Sequence, residues 1–272
     1  MNDPAASATP QLIVERHGAV LLLSLSNPAA RNALHPDMYS TAARALADAQ
    51  SDPAVRAVVI AGDGDTFSAG GNLNRLLANR SKDPSLQYES IEALHGWVRA
   101  IRAIDKPVIA AVEGTAAGAA FALVLACDML VAAEDARFAM AYARVGLSPD
   151  GGATHWLGNR LPYQLAYELL ATGAPIEAAR LHALGVVNRV VPRGQALETG
   201  MQLARTLAAG PALVLGRIKR LLDASATGTL ASHLDRERDA FLEALYHPDA
   251  GEGISAFLEK RAPRFGAPSA QD

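Results

Sequence analysis

Lys106–Thr154 reads KPVIAAVEGTAAGAAFALVLACDMLVAAEDARFAMAYARVGLSPDGGAT, and the order of residue types within it decides the architecture around it. Val108 to Val112 is a short apolar run rich in β-branched residues. Pro107 opens it, where a missing ladder donor costs least, so the run reads as a buried strand. Gly114 to Ala120 carry almost no side-chain bulk, and Phe121 to Cys127 continue as an apolar helix that stops at Asp128. A strand, a small-residue turn and a buried helix in that order let another group approach the backbone closely. The first amides of such a helix have no intrahelical partner and lie at the positive end of its dipole. An anion-stabilising site is therefore expected at the turn.

Moving outward, GDGDTFSAGGNL (62–73) repeats the arrangement: Val55 to Ala61 reads as a buried strand before it, and a helix is expected from about Asn72. If the two strands are neighbours, one amide from each loop converges on a single oxygen. A thioester carbonyl that gains negative charge needs that geometry, and one preorganised donor lowers the barrier by roughly 2.7–4 kcal/mol. Gly and Ala also permit tight packing, and either loop taken alone reads that way as readily.

Upstream, Gln11 to Ser26 reads as two strands around His17-Gly18, followed by a helix from Pro36 to Ala49. A polar, mobile segment is expected at 78–86, then a helix from Gln87 to Ile104. Downstream, Asp128–Ala132 and Arg137–Met140 read as short strands, Gly151–Leu161, Pro162–Thr172 and Pro175–Leu184 as helices, and Val186–Val191 as the last strand. From Arg193 only helices are expected. Strand–helix alternation followed by a helical region places the chain in the α/β class.

Composition narrows the function. The net charge of −3 is scattered, so nucleic acid and membrane surfaces are not expected as partners. Cys127 is the only cysteine, which excludes an internal disulfide and a multi-Cys metal site. The histidines form no HxH or HxxxH pair, no Gly-Lys-Ser/Thr follows the glycine-rich loop, and there is no G-x-S-x-G elbow. No metal and no separate cofactor is expected. Residues 1–10 and 266–272 read as disordered tails, 11–192 as the core and 193–265 as a helical C-terminal region. No apolar run approaches ~18 residues, and a cytoplasmic protein is the expectation.

TFSAGGNL, GTAAGAAFALVLACD and ARFAMAYARVGLSPDGGATHWL, with RNAL (31–34), ALGVVNRVV (183–191) and EGISAFLEKR (252–261), resemble the signature blocks of the crotonase (enoyl-CoA hydratase/isomerase) superfamily over about residues 10–265. The resemblance implies a crotonase-like ββα spiral core with a helical C-terminal trimerisation region, in a homotrimer or a dimer of trimers. It implies an acyl-CoA thioester substrate, with CoA as part of that substrate, in fatty acid or aromatic acid degradation. By position, the oxyanion amides would be Gly71 and Ala119. Arg31, Ser68, Ala69 and Leu73 match CoA-contacting positions on loops 28–34 and 66–75. Phe257 and Lys260 match contacts made from the closing helix, often across a subunit boundary.

Two departures from the family pattern redirect the chemistry. The paired glutamates of a usual hydratase fall at Ala122 and Tyr142, and neither is a carboxylate. Asp150 in LSPDGG remains, at a position where related double-bond isomerases keep a proton shuttle and 4-chlorobenzoyl-CoA dehalogenase keeps a nucleophile. Read without that context, Pro149-Asp150-Gly151 is a turn whose carboxylate caps the next helix. His95 matches the histidine with which the dehalogenase activates water, while Tyr142 replaces that enzyme's pocket tryptophan. The first expectation is an enoyl-CoA isomerase with Asp150 as proton shuttle. The alternatives are an atypical enoyl-CoA hydratase, an Asp150/His95 thioester hydrolase or dehalogenase, and a non-catalytic acyl-CoA-binding scaffold.

Overall fold

A computed structural model describes residues 9–266; the two expected tails lie for the most part outside the described residues. The chain begins with β1 (Gln11–His17) and β2 (Val20–Ser26), then α1 (Pro36–Ser51), β3 (Ala57–Gly62), α2 (Leu73–Asn79) and α3 (Pro84–Ala103). The decisive stretch forms β4 (Val108–Val112), β5 (Thr115–Ala117), α4 (Ala119–Ala126), β6 (Met129–Ala133) and β7 (Arg137–Ala139). After it come α5 (Ala153–Arg160), α6 (Tyr163–Thr172), β8 (Ile176–Glu177), α7 (Ala178–Ala183) and β9 (Arg189–Val191). The helical region is α8 (Ala196–Ala208), α9 (Ala212–Ser225), α10 (Leu230–Leu245) and α11 (Pro248–Leu258).

One sheet has the order β1-β2-β3-β4-β6-β9, antiparallel at the β1–β2 hairpin and parallel elsewhere. A strand covered on both faces is apolar throughout, which is why VIAAV in β4 is buried at every position. The two-residue period divides those side chains between two cores. Val58, Ile60, Val108 and Ala110 face the large core that holds α1, α3 and α4. Val59, Ala61, Ile109 and Ala111 face α8, whose Met201, Leu203, Ala204 and Ala208 cover the other side. Gly200 of α8 lies so close that an added Cβ would stand 3.1 Å from the Ala111 methyl.

A second, smaller sheet has the order β5-β7-β8. The chain visits the two sheets in alternation: β4–β5–α4 and β6–β7–α5 are successive turns with one strand in each. The loop after β3 makes an equivalent turn through a parallel bridge from Ser68 to Ala116. This is the expected ββα spiral.

Several elements differ from their expectation. The segment from 78 to 86 is mostly helical, because Asp83 accepts from the Ser85 amide at 2.8 Å and caps an α3 that starts at Pro84. The turn at 114–120 contains β5, and the helix expected from Pro175 is preceded by β8. Asp128, expected in a strand, precedes β6. Its carboxylate accepts from the Val108 amide, Arg102 and Lys219 and so ties α9 to the sheet. No described helix is long and apolar enough to cross a membrane.

Candidate active site

The first loop is held by Asn32, whose buried amide donates to the carbonyls of Asp63 and Thr66, both at 2.8 Å. The loop then runs beside β5: Ser68 N–H donates to Thr115 O at 2.9 Å, and Ala117 N–H donates to Ser68 O at 3.0 Å. Gly70 has φ +86, and an added Cβ would lie 2.4 Å from Ala117 O. Only glycine allows that approach. The Gly70 amide donates to Ser68 Oγ, and its carbonyl accepts from Leu34 N–H. The Gly71 amide is left without an acceptor among the described residues.

The second loop is fixed by Gly118, at φ 53 and ψ −126, whose amide donates to Ala139 O at 2.8 Å. Ala119 opens α4 with φ not in the positive range, and its amide likewise has no acceptor among the described residues. Because the loops are bridged, Gly71 and Ala119, which carry the two free amides, line one cleft of about 150 Å³. The N-terminus of the buried helix α4 points its positive end there.

Asp150 lines the same cleft. Its backbone carbonyl accepts from Ala153 N–H, while Gly152 occupies the cap of α5 without a side-chain bond. The carboxylate is therefore not a cap. Instead Tyr142 Oη donates to Asp150 Oδ1 at 2.5 Å. Burial, reinforced by the Asp150 charge, pushes the Tyr142 phenol far above its ordinary pKa, so it is a donor throughout the working range. Ala122 is fully buried beneath the Asp150 turn, where a Cβ on Gly151 would stand 3.0 Å from its methyl.

Further lining comes from α1, α2 and α3. Gln87, Ser90, Ile91 and Leu94 follow helical spacing and present one face of α3 to the cleft. Tyr39 of α1 and Arg75 of α2 complete it. Burial raises the Tyr39 phenol to about 12, against an opposing contribution from Arg75. Asp150 is the one carboxylate and Arg75 the one cation among the described residues lining the cleft.

The structure thus brings together Gly71, Ala119, Asp150, Ala69, Leu73 and Tyr142. It does not bring the other expected residues to the cleft. His95 lies one residue past the lining face of α3, its Nδ1 within 3.0 Å of Glu92 Oε1, so the expected Asp150–His95 pair is not assembled. Ser68 is fully buried and bonded within its own loop, where it positions Gly70. Arg31 has an exposed side chain in left-handed backbone, and its carbonyl accepts from Ala69 N–H. Phe257 and Lys260 are exposed at the end of α11, away from the cleft of their own chain. Tyr39 was not singled out from the sequence. Its only signal there is an apolar helical position that α1 buries.

A family model described as enoyl-CoA hydratase/isomerase matches residues 15–268. The chain belongs to the enoyl-CoA hydratase/isomerase family. That family lies within the crotonase superfamily, and the two-sheet spiral is the crotonase fold. A solved structure of an enoyl-CoA hydratase from Polaromonas sp. JS666 is 49% identical and superposes with a TM-score of 0.92 over 94% of this chain and 99% of that one. Two relatives from Escherichia coli K12 are each 37% identical. One, a 1,2-epoxyphenylacetyl-CoA isomerase, aligns over 90% of this chain and 94% of its own length. The other, a 2,3-dehydroadipyl-CoA hydratase, aligns over 94% and 98%. Family members act on acyl-CoA thioesters, and a cleft with two free amides beside one carboxylate is suited to enolate chemistry.

Proposed function

We propose that this family member is an enoyl-CoA double-bond isomerase in which Asp150 carries the proton. The observation that carries the reading is the Asp150 carboxylate itself. It is bonded to Tyr142 rather than to the helix behind it, and it is the one carboxylate among the described residues that line the cleft. Asp150 takes a proton from Cα of a 3-enoyl thioester, and the electron pair spreads over the conjugated chain and the thioester oxygen. The amides of Gly71 and Ala119 hydrogen-bond that oxygen while it holds the charge. The carboxyl then returns the proton at Cγ, leaving the 2-enoyl thioester. One acid–base group suffices for this cycle. Hydration by the usual route requires a water held between two carboxylates, and the resemblance puts those two positions at Ala122 and Tyr142, neither of which is one. The isomerase named among the relatives adds support, since it too rearranges rather than hydrates its thioester.

The test is incubation with 3-enoyl-CoA and 2-enoyl-CoA in D₂O, following conjugation at the thioester band and deuterium at Cα and Cγ. Isomerisation with exchange, falling about 10²–10⁴-fold in Asp150→Asn, is the expected result. Hydration that survives Asp150→Asn overturns the proposal in favour of an atypical hydratase. Tight thioester binding with no turnover points to a non-catalytic scaffold.

A further inference from the structure

Arg75 has more hydrogen-bonding capacity than its own chain uses. Its Nη1 and Nη2 both reach the buried hydroxyl of Ser90 at 3.2 Å, and its Nε is buried with no partner among the described residues. A guanidinium offers five N–H donors and no acceptor. It is also a fixed charge, so removal from water leaves it seeking a counter-ion. Asp150, the single carboxylate of the cleft, is bonded to Tyr142 instead. The groups around Arg75 have the same character. The Tyr39 phenol is kept protonated by burial. The Gln87 carbonyl is taken by Asn79 at 3.1 Å, which leaves its amide nitrogen as the free end. One wall of an acyl pocket is therefore rich in donors and lacks an anion.

We propose that Arg75 selects acyl-CoA thioesters whose acyl chain ends in a carboxylate, which it pairs with inside the cleft. The proposal rests on the reading that this cleft takes an acyl-CoA thioester. A guanidinium pairs with a carboxylate through two parallel N–H···O bonds, which an ammonium or an amide does not reproduce. The bond to Ser90 holds the arginine against α3 before substrate arrives, so little side-chain freedom is lost on binding. An alkyl chain in the same place covers the cation without satisfying it, and that difference is the source of discrimination.

The test uses saturated thioesters, which bind without reacting, so its outcome does not depend on the isomerase mechanism. Binding of succinyl-, glutaryl- and adipyl-CoA is compared by calorimetry with butyryl-, pentanoyl- and hexanoyl-CoA, on the intact protein. At least one ω-carboxyl ester is expected to bind about tenfold or more tighter than its alkyl counterpart. That ratio is expected to collapse toward unity in Arg75→Met and to survive in part in Arg75→Lys. Alkyl-ester binding reports whether each variant keeps its pocket. No preference in the wild type, or a preference that persists in Arg75→Met, overturns the proposal. So does equal weakening of both series and of CoA alone, which would assign Arg75 to a CoA phosphate. Should Arg75→Met fail to fold, the wild-type ratio and Ser90→Ala decide. Ser90→Ala frees the arginine, so it is expected to narrow the ratio, and an unchanged ratio there also counts against the proposal.

Discussion

The bond from Tyr142 to Asp150 holds Oδ1 at 2.5 Å and leaves Oδ2 without a side-chain partner among the described residues. In the proposed isomerase, Oδ2 is the oxygen that takes the proton. Tyr142→Phe keeps the ring but releases the carboxylate. A misplaced base loses rate through lost orientation, so kcat is expected to fall about ten- to hundredfold with little change in KM. Steady-state kinetics beside a thermal melt separates this from unfolding. Tyr39 gives a second test at this scale, through pH. Its folded pKa of about 12 lies above the ordinary phenol value of 10.0, so the neutral phenol is favoured in the native state. The associated stability is complete below pH 10 and is lost as pH rises toward 12, an effect of about 2–3 kcal/mol. Chemical denaturation of the wild type and Tyr39→Phe across that window should show the variant losing less stability. Asp150 was legible in the sequence because its motif carries it. Tyr39 was not, because α1 and the rest of the cleft meet only through tertiary packing, and an aromatic at an apolar helical position looks like core. Whether His95 faces the cleft was open in the sequence: it falls only about 40° beyond Ile91 around α3, and its ring lies against Glu92 instead of in the lining.

At the scale of elements, the two loops act through their registration on β5. Gly70→Ala would drive a methyl into Ala117 O at a backbone angle that side chains rarely adopt. The conformation alone costs about 1–3 kcal/mol. The forced separation of the Gly71 and Ala119 amides is expected to lower kcat by about 10²–10³-fold, the effect of losing one oxyanion donor. A melt and a progress curve on one sample measure both. The link between α9 and the sheet makes a contrasting prediction. Asp128→Ala strands the cations of Lys219 and Arg102 and the Val108 amide, and is expected to cost about 3–5 kcal/mol in denaturant titration while sparing the cleft. The long parallel strands and buried helices were readable because five or more consecutive residues declare their environment. β5 and β8 have three and two residues, too few to show a period, and they owe their strand geometry to neighbours distant in sequence.

For the whole molecule, the unfinished part is the helical region. No residue of α10 is buried, yet Leu230, Leu234, Phe241 and Leu245 fall at helical spacing and are exposed. On α11, Ile254, Phe257 and Leu258 extend the exposed apolar surface. A monomer would leave these side chains against water, and fully burying each is worth about 1.5–3 kcal/mol. Phe257 on α11 and Lys260 just beyond it, to which the resemblance would assign CoA contacts, are not among the residues lining the cleft of their own chain. Both features are resolved if copies of the chain pack through this region and lend these residues to one another's clefts. Sedimentation velocity is expected to give a trimer or a multiple of one. The double variant Phe241→Asp, Leu245→Asp is expected to give a smaller species with a weaker affinity for CoA itself. Phe257→Ala should weaken CoA binding without altering the sedimentation of the assembly. A monomeric wild type with unchanged CoA affinity in both variants would confine the site to a single chain.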